Sequence, residues 1–203
     1  MSYILCFLFA DGNIIKTKRG THFVGFYSAD KGLLSDIKTV MGLDHKISKR
    51  SSRSGGVYRI QIGSREMYDD LLRLGMIPKK SKRMKMVNIP SKYFGDFVRG
   101  YFDGDGNVWS GYINKDRKKK TPVLHVGFTS ASAGFLRSML LTLRKSANIE
   151  GGGVYPVKNK NCARLSLSTK DSLKLYKVMY NTSYSLFLSR KRQVFENFIK
   201  MRP

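Results

Sequence analysis

The chain has 203 residues, of which 38 are Lys or Arg and 14 are Asp or Glu, so its formal net charge is +24. Hydrophobic residues make up 41% of the chain, which excludes intrinsic disorder and predicts one large or two small globular domains. An enzyme for small neutral substrates does not need this charge, whereas a protein that binds nucleic acid does. A membrane surface fits poorly, because the basic residues are spread over many segments rather than gathered on one amphipathic helix.

Cysteine and histidine usage excludes two further classes of protein. Cys6 and Cys162 form no CxxC pair, and the three histidines are far apart in the sequence. A disulfide scaffold and a zinc site are therefore excluded, and we expect reduced thiols in an intracellular protein. The apolar run Tyr3–Ala10 is too short to span a bilayer and lacks the flanks of a signal peptide, so no membrane partner is expected.

Hydrophobic periodicity in the first half predicts a helix, two strands, a helix, two strands and a helix. In chain order these elements are Tyr3–Ala10, Asn13–Lys18, His22–Tyr27, Leu33–Met41, Lys46–Arg50, Tyr58–Ile62 and Arg65–Leu74. The segment Gly75–Pro90 is too rich in Lys, Pro and Met for a helix interior. We interpret it as a link between two halves of the chain.

The second half predicts the same succession of elements, followed by a closing segment with a helical pattern. Pro90 and Ser91 provide a start for its first helix, because Ser is a common N-cap residue. In chain order the elements are Ser91–Phe102, Asn107–Tyr112, Val123–Phe128, Ala133–Ala147, Val154–Lys158, Arg164–Leu167, Lys170–Tyr180 and Leu186–Met201. We therefore expect two domains, one at 1–88 that includes the link and one at 89–203.

The two halves also repeat one another in sequence. LFADGNI matches YFDGDGNV, which places Asp11 and Asp105 94 positions apart. VGFYSADKGLL matches VGFTSASAGFL in seven of eleven positions, and YRIQIGSRE matches ARLSLSTKD at an offset of 105. Three matches in the same order imply a duplicated unit. The predicted fold class is α+β, with two pseudo-symmetric αββαββα units.

Alternation along the strands predicts which face of each sheet carries charge. Ile60 and Ile62 have the buried pattern, so Arg59 and Gln61 point to the opposite face. Basic loops such as KTKRG, KRSSR, KDRKKK and KNKNCAR cap the strands. We expect a curved antiparallel sheet in each half, with helices behind it and a basic face in front that fits the DNA major groove. A solvated surface enriched in lysine for solubility is the alternative.

The candidates for DNA binding are polar or aromatic residues of these strand faces and basic residues of the loops. They are Thr17, Arg19, Lys46, Ser48, Arg50, Arg59, Gln61, Trp109, Lys118, Lys119, His125, Lys158, Arg164 and Ser166.

The aspartates of FVRGYFDGDGNV allow three interpretations. An ordinary turn explains Asp-Gly but not its recurrence at the end of a helix in each repeat. A calcium EF-hand loop is excluded, because its sixth and twelfth positions are Val108 and Asn114 instead of Gly and Glu. In the third interpretation the two opening helices pack side by side, so that Asp11 and Asp105 meet. Two carboxylates and free helix-end carbonyls would then form an all-oxygen site suited to Mg²⁺ and phosphodiester hydrolysis.

Small residues spaced four apart support this packing, because they let two helix backbones approach closely. They are Cys6 and Ala10 in the first helix, and Gly100 and Gly104 in the second.

At these residues the chain resembles the LAGLIDADG homing endonucleases in their single-chain, two-repeat form. ILCFLFADG and VRGYFDGDG are similar to two copies of the family motif, and the likeness extends over almost the whole chain. The second copy is the more specific one. The first copy has Cys6 where the motif usually has glycine and Phe9 where its first acid usually stands, whereas Asp11 occupies the place of the final acid.

The resemblance implies that Asp11 and Asp105 bind a divalent metal, assisted by the backbone carbonyls of Ala10 and Gly104. Mg²⁺ is the expected ion, Mn²⁺ is expected to substitute, and Ca²⁺ is expected to bind without supporting cleavage. A saddle of antiparallel sheets would lie in adjacent major grooves of double-stranded DNA. Both strands would be hydrolysed, leaving short 3′ overhangs.

The resemblance also implies a lysine near each scissile phosphate, and Lys80 and Lys191 match that position. Phosphate binding without catalysis and plain surface charge are the alternatives for these two lysines. Other basic side chains compete for the role, namely Lys79, Lys82 and Arg190. Gln61 is a further candidate for the catalytic pocket, from its predicted strand face.

Three functions remain open at this point. The first is a site-specific DNA endonuclease acting as a monomer on an asymmetric target, because the two halves differ in sequence. The second is a maturase of the same family, whose partner would be intron RNA. The third is a DNA-binding regulator that has lost cleavage, which the presence of both acids disfavours.

Overall fold

The computed structural model describes residues 1–52, 55–114, 120–181 and 186–201. These residues form seven α-helices, two short 3₁₀ turns and two four-stranded antiparallel sheets. They fall into two compact units. The first unit extends to Gly104 and includes Leu186 and Phe187, and the second begins at Asp105 and includes the last helix.

The first unit contains four helices and one sheet. Its elements are α1 (Ser2–Asp11), β1 (Gly12–Lys16), β2 (His22–Ser28), α2 (Lys31–Val40), β3 (Ser48–Ser52), β4 (Gly55–Gly63), α3 (Arg65–Arg73), the 3₁₀ turns Lys80–Lys82 and Ser91–Tyr93, and α4 (Phe94–Asp105) up to Gly104. The strand order is β1-β2-β4-β3, with every pair antiparallel.

The second unit contains one sheet and three helices. Its elements are β5 (Gly106–Ile113), β6 (Thr121–Ser130), α5 (Ala133–Ala147), β7 (Gly153–Pro156), β8 (Ala163–Leu167), α6 (Thr169–Tyr180) and α7 (Ser189–Lys200). Its strand order β5-β6-β8-β7 repeats that of the first sheet. The duplication and the α+β fold class predicted from the sequence are therefore confirmed.

Side-chain caps begin the helices that follow the hairpins. Asp30 accepts a hydrogen bond from the backbone N–H of Leu33, and Ser64 accepts one from that of Met67. Ser132 caps α5 in the same way. Each cap satisfies one of the backbone N–H groups that a helix leaves without an internal partner.

A separate hydrophobic core lies behind each sheet. In the first unit Val24, Phe26 and Ile60 face the helices and are fully buried. In the second unit the equivalent strand positions Val126 and Phe128 are also fully buried. Ile60 and Ile62 are 0% and 5% exposed, so the prediction that this side of β4 is buried is confirmed.

Helices α1 and α4 pack closely against each other inside the first unit. A Cβ on Gly100 would clash with the carbonyl oxygen of Tyr3, and a Cβ on Gly104 would clash with the side chain of Ala10. The Tyr3 hydroxyl donates a buried hydrogen bond of 2.7 Å to Asp103 Oδ2. The close approach of the helix backbones at small residues is therefore as predicted.

A buried arginine also fixes helix α4. Arg99 is 3% exposed and pairs with Asp96 at 2.7 Å. Its Nε donates to the carbonyl of Leu186 at 2.9 Å, and its guanidinium lies 5.5 Å from the ring centre of Tyr3. Because a buried cation needs such partners, these contacts hold α4 in one orientation against its neighbours.

Several predicted boundaries were wrong, mostly by a few residues. Ser91 lies in a 3₁₀ turn, and helix α4 begins only at Phe94. The strand predicted at Lys46 begins at Ser48, and the strand predicted to reach Lys158 ends at Pro156. Cross-strand pairing with β4 and β8 sets these ends, and local alternation does not report it.

Among the described helices, none is long and apolar enough to cross a bilayer. Both cysteines are free thiols, and Cys6 is buried.

Replacing Gly100 by alanine is expected to destabilise the protein, because the added methyl meets the α1 backbone rather than a movable side chain. Overpacking of this kind costs about 1–3 kcal/mol in the free energy of unfolding. Chemical denaturation of the full chain measures the change. Gly134→Ala in α5 is the matched control, because a Cβ there has nothing within 4 Å. Equal stability of the two variants would contradict the packing argument.

Candidate active site and nucleic-acid interface

Each aspartate of the repeated motif is the last residue of a helix. Asp11 ends α1 and Asp105 ends α4, and both side chains are half-buried. The next residue in each case, Gly12 or Gly106, already belongs to a strand. The chain thus passes from helix to sheet without a loop, so each carboxylate lies where helix-end carbonyls and the first strand residues come together.

Gly104 provides room for the end of α1. An added Cβ would lie 3.3 Å from Asp11 Oδ2 and would clash with the side chain of Ala10. The Asp11 carboxylate therefore lies beside the backbone of the residue that precedes Asp105 in the chain. This close approach requires glycine and brings a carboxylate oxygen of Asp11 near the Gly104 backbone, and oxygen atoms are the donors that a small divalent cation prefers.

Lys80 extends toward the end of α1 and is 9% exposed. Its Nζ donates to the carbonyl oxygen of Gly12 and lies 3.5 Å from that of Ala10. The preceding residue, Lys79, has a left-handed backbone with φ of 54° and an exposed side chain. Of the basic residues near this turn, Lys80 is the one that the fold directs inward, whereas Lys82 is exposed.

Lys191 makes the equivalent contact in the second unit. It lies in the first turn of α7, is 7% exposed, and donates from Nζ to the carbonyl oxygen of Gly106 at 2.6 Å. Its neighbour Arg190 is exposed. In both units, therefore, a buried lysine contacts the carbonyl of the glycine that follows the motif aspartate.

The open face of the first sheet is polar in its centre. Gln61 pairs with Gly25 across the strands, and Arg59 pairs with Tyr27 and with Ser48. Arg50 lies on the same face and is exposed. The sequence prediction placed these residues correctly on one face, but their role in binding stays a prediction.

The open face of the second sheet carries the remaining strand candidates. Trp109 pairs with His125, and Ser166 pairs with Gly127. Arg164 lies across Gly127 and donates from Nη2 to Asn107 Oδ1 at 2.9 Å. Burial, and secondarily the charge of Arg164, lowers the pKa of His125, which favours a neutral imidazole.

Four predicted residues lie in loops rather than on strands. Thr17 and Arg19 belong to the turn after β1, Lys46 precedes β3, and Lys158 lies in the turn after β7. Lysine and arginine in such positions suit phosphate contacts better than base contacts. Lys118 and Lys119 fall outside the described residues.

Sequence reasoning missed Asn13 and Asn107, which lie two residues after each aspartate on the open faces. Each pairs with a glycine of the neighbouring strand, Gly25 or Gly127. Strand alternation could have identified Asn13, because a buried Ile14 implies that Asn13 points to the opposite face.

In the part of the chain that the structure describes, no three His, Cys, Asp or Glu side chains come together in a way that could hold a metal ion. At each helix end the motif carboxylate and the neighbouring backbone oxygens are donors of the kind that Mg²⁺ prefers.

Comparison with known proteins finds similarity both in sequence and in structure. No family model matches the chain. An uncharacterized protein of Methanocaldococcus jannaschii, MJ0398, is 24% identical over 213 residues, covering 95% of this chain and 69% of that protein.

Solved structures of homing endonucleases match the fold. I-LtrWI, a LAGLIDADG homing endonuclease bound to target DNA, has a TM-score of 0.63 at 13% identity, covering 98% of this chain and 88% of that one. I-SmaMI, bound to uncleaved DNA in the presence of calcium ions, has a TM-score of 0.65 at 12% identity and covers 98% and 89%. A variant of I-DmoI, in complex with its target DNA and in the presence of Mn, has a TM-score of 0.60 at 12% identity and covers 90% and 93%.

Replacing Arg164 by alanine is expected to raise the pKa of His125 without fully restoring its usual value of 6.5, because burial is the larger cause of the lowering. A pH titration of the His125 ring signals by NMR measures the shift, with Arg137→Ala in α5 as the control. Since the lowered pKa means that the folded state binds fewer protons, His125 makes the protein less stable as the pH falls below about 6.5. An unchanged or lower pKa in Arg164→Ala would contradict the assignment.

Proposed function

Because the chain has the fold of the LAGLIDADG homing endonucleases, we propose that it is a site-specific endonuclease. Its substrate is a long, asymmetric double-stranded DNA target, of which it hydrolyses one phosphodiester bond in each strand to leave 3′ overhangs. The net charge of +24 supports a polyanionic substrate.

The observation that carries the proposal is the repeated lysine contact. Lys80 on Gly12 and Lys191 on Gly106 are buried ammonium groups at the carbonyl next to a half-exposed aspartate. Burying a lysine is unfavourable, and a regulator that only binds DNA gains nothing from doing so twice at acidic helix ends. A nuclease does gain, because a fixed cation near the reacting phosphate stabilises negative charge that develops during hydrolysis.

Asp11 and Asp105 would hold the divalent metal, assisted by the backbone carbonyls of Gly104 and Ala10. When bound, such an ion activates water and stabilises the leaving oxygen of a phosphodiester. Mg²⁺ is the proposed ion, with Mn²⁺ able to replace it and Ca²⁺ able to support binding alone. The presence of calcium in an I-SmaMI complex and of Mn in an I-DmoI complex supports a divalent ion.

The chain's own residues would divide the remaining tasks. The open sheet faces would contact bases in the major groove, and the basic turns would contact phosphates. Gln61, on the open face of the first sheet, is a candidate for orienting a water or a base near the site. Lys80 and Lys191 would each face the phosphate of one strand.

One chain would suffice for the reaction, because it contains both copies of the lysine contact. The two open faces differ, since Gln61 occupies the position that Ser166 occupies in the second sheet. We therefore propose a monomer with an asymmetric target. The two free thiols suit the reducing interior of a cell.

Asp105→Asn is expected to lower the rate of DNA cleavage at least a hundredfold in Mg²⁺ while leaving binding within a fewfold of wild type, because it removes a metal ligand and not a DNA contact. The protein is incubated with random duplex DNA and the cut ends are sequenced, and the recovered target is then used for rates. Asp11→Asn should behave in the same way.

The matched control is Glu150→Gln, the same chemical change on an exposed carboxylate whose pKa is lowered to about 2 by hydrogen bonds from Lys174 and Lys170. A wild-type protein that binds a motif without cutting it would favour the regulator, and tighter binding to structured RNA than to any duplex would favour the maturase.

Lys80→Met and Lys191→Met are each expected to slow cleavage at least tenfold with little loss of stability, because methionine fills the same volume without burying a charge. Lys82→Met, at an exposed lysine of the same turn, is the control and should stay within about twofold of the wild-type rate. Single-turnover cleavage on the recovered target separates the chemical step from binding. Equal rates for Lys80→Met and Lys82→Met would remove Lys80 from the mechanism.

A further inference from the structure

The open face of the second sheet exposes three large apolar side chains whose contacts the proposed function leaves unspecified. Trp109 is 50% exposed, Ile113 is 46% exposed and Tyr155 is 61% exposed. Trp109 and Ile113 lie on the same face of β5, and Tyr155 pairs with Arg164 of that face across β7 and β8. The three side chains are spread along this face, Trp109 and Ile113 on one edge strand and Tyr155 on the other, so each would contact a different part of a bound duplex.

Two of these side chains lie flat on the sheet. A Cβ on Gly111 would clash with the six-membered ring of Trp109, and a Cβ on Gly153 would clash with the phenol of Tyr155. Both rings therefore cover the glycine two positions away on their own strand. Because glycine has no side chain, each ring can lie against its own strand. The face of the ring, rather than its edge, is then presented to whatever binds the sheet.

Polar groups of the same face include Arg164, His125 and Ser166. Arg164 donates to Asn107 within the sheet, and the lowered pKa of His125 leaves that side chain uncharged near neutral pH. The first sheet, in contrast, offers Arg50, Arg59 and Gln61. The exposed apolar side chains give the second sheet contacts that its hydrogen-bonding groups cannot make.

One apolar group marks a base in the major groove, the 5-methyl of thymine. We propose that Trp109, Ile113 and Tyr155 recognise thymine methyl groups, so that the half-site bound by the second sheet has thymine at defined positions. Trp109 and Ile113 are four residues apart, about 13 Å along a strand. At about 3.4 Å per base step, the methyls they contact lie about four base pairs apart. This inference rests on the proposed function and adds target specificity to it.

The test replaces each thymine of the selected target, one at a time, by deoxyuridine, which differs only by the missing methyl. Binding of the full chain is measured without metal, so that no cleavage occurs. We expect a few positions in the half-site bound by the second sheet to bind about three- to fivefold more weakly, as for loss of one buried methyl-sized group. In Trp109→Ala and Ile113→Ala, different positions should lose this sensitivity.

Gly111→Ala provides a second, independent variant, because it keeps the indole but displaces it. It should reduce the thymine-to-deoxyuridine difference at the Trp109 position, whereas Gly134→Ala should preserve it. The inference is overturned if the wild-type protein binds every deoxyuridine-substituted target as tightly as the original target. It is also overturned if the sensitivity to the missing methyl persists unchanged in Trp109→Ala.

Two further outcomes separate this inference from the proposed function. If no sequence motif is recovered from the random duplex DNA, both the proposed function and this inference are contradicted. If single-stranded oligonucleotides bind better than duplex, equally with thymine and uracil, the rings are stacking platforms and the methyl inference is overturned.

Discussion

The close contact between helices α1 and α4 is the constraint on which the rest of the first unit depends. Gly100 and Gly104 allow the backbone of α1 to approach, and the Tyr3 hydroxyl bond to Asp103 holds the helices in one register. Because α1 ends at Asp11 and β1 begins at the next residue, the same helix contact sets the position at which the first strand of the sheet begins. A change that separates the helices would therefore move the acid and the strand together.

The charge distribution follows from that geometry. A protein with 38 basic residues keeps only 14 acids, and two of them end the motif helices. At each helix end a buried lysine donates to the backbone carbonyl of the first strand residue. The chain thereby brings a carboxylate and an ammonium group to each helix end, which supports the proposed action on a phosphate.

The duplication preserved the topology and changed the surface. Both sheets have the same strand order and bury the same central positions, Val24 and Val126 among them. Their open faces diverged, with Arg59 and Gln61 on the first and Trp109 and Tyr155 on the second. Core positions are restricted by packing against helices, whereas exposed positions are restricted by the partner alone, so two copies of one unit can bind different partners.

The sequence by itself determined the repeat, the succession of elements, the recurrence of Asp-Gly near the end of each opening helix, and the buried faces of the strands. These follow from local periodicity and from the Asp-Gly pairs, which report on neighbours in the chain. Only the tertiary structure decided that Lys80 rather than Lys79 or Lys82 turns inward, and that Arg164 contacts Asn107. Chemically equivalent side chains differ there only in direction, and direction is set by register and packing between segments distant in sequence.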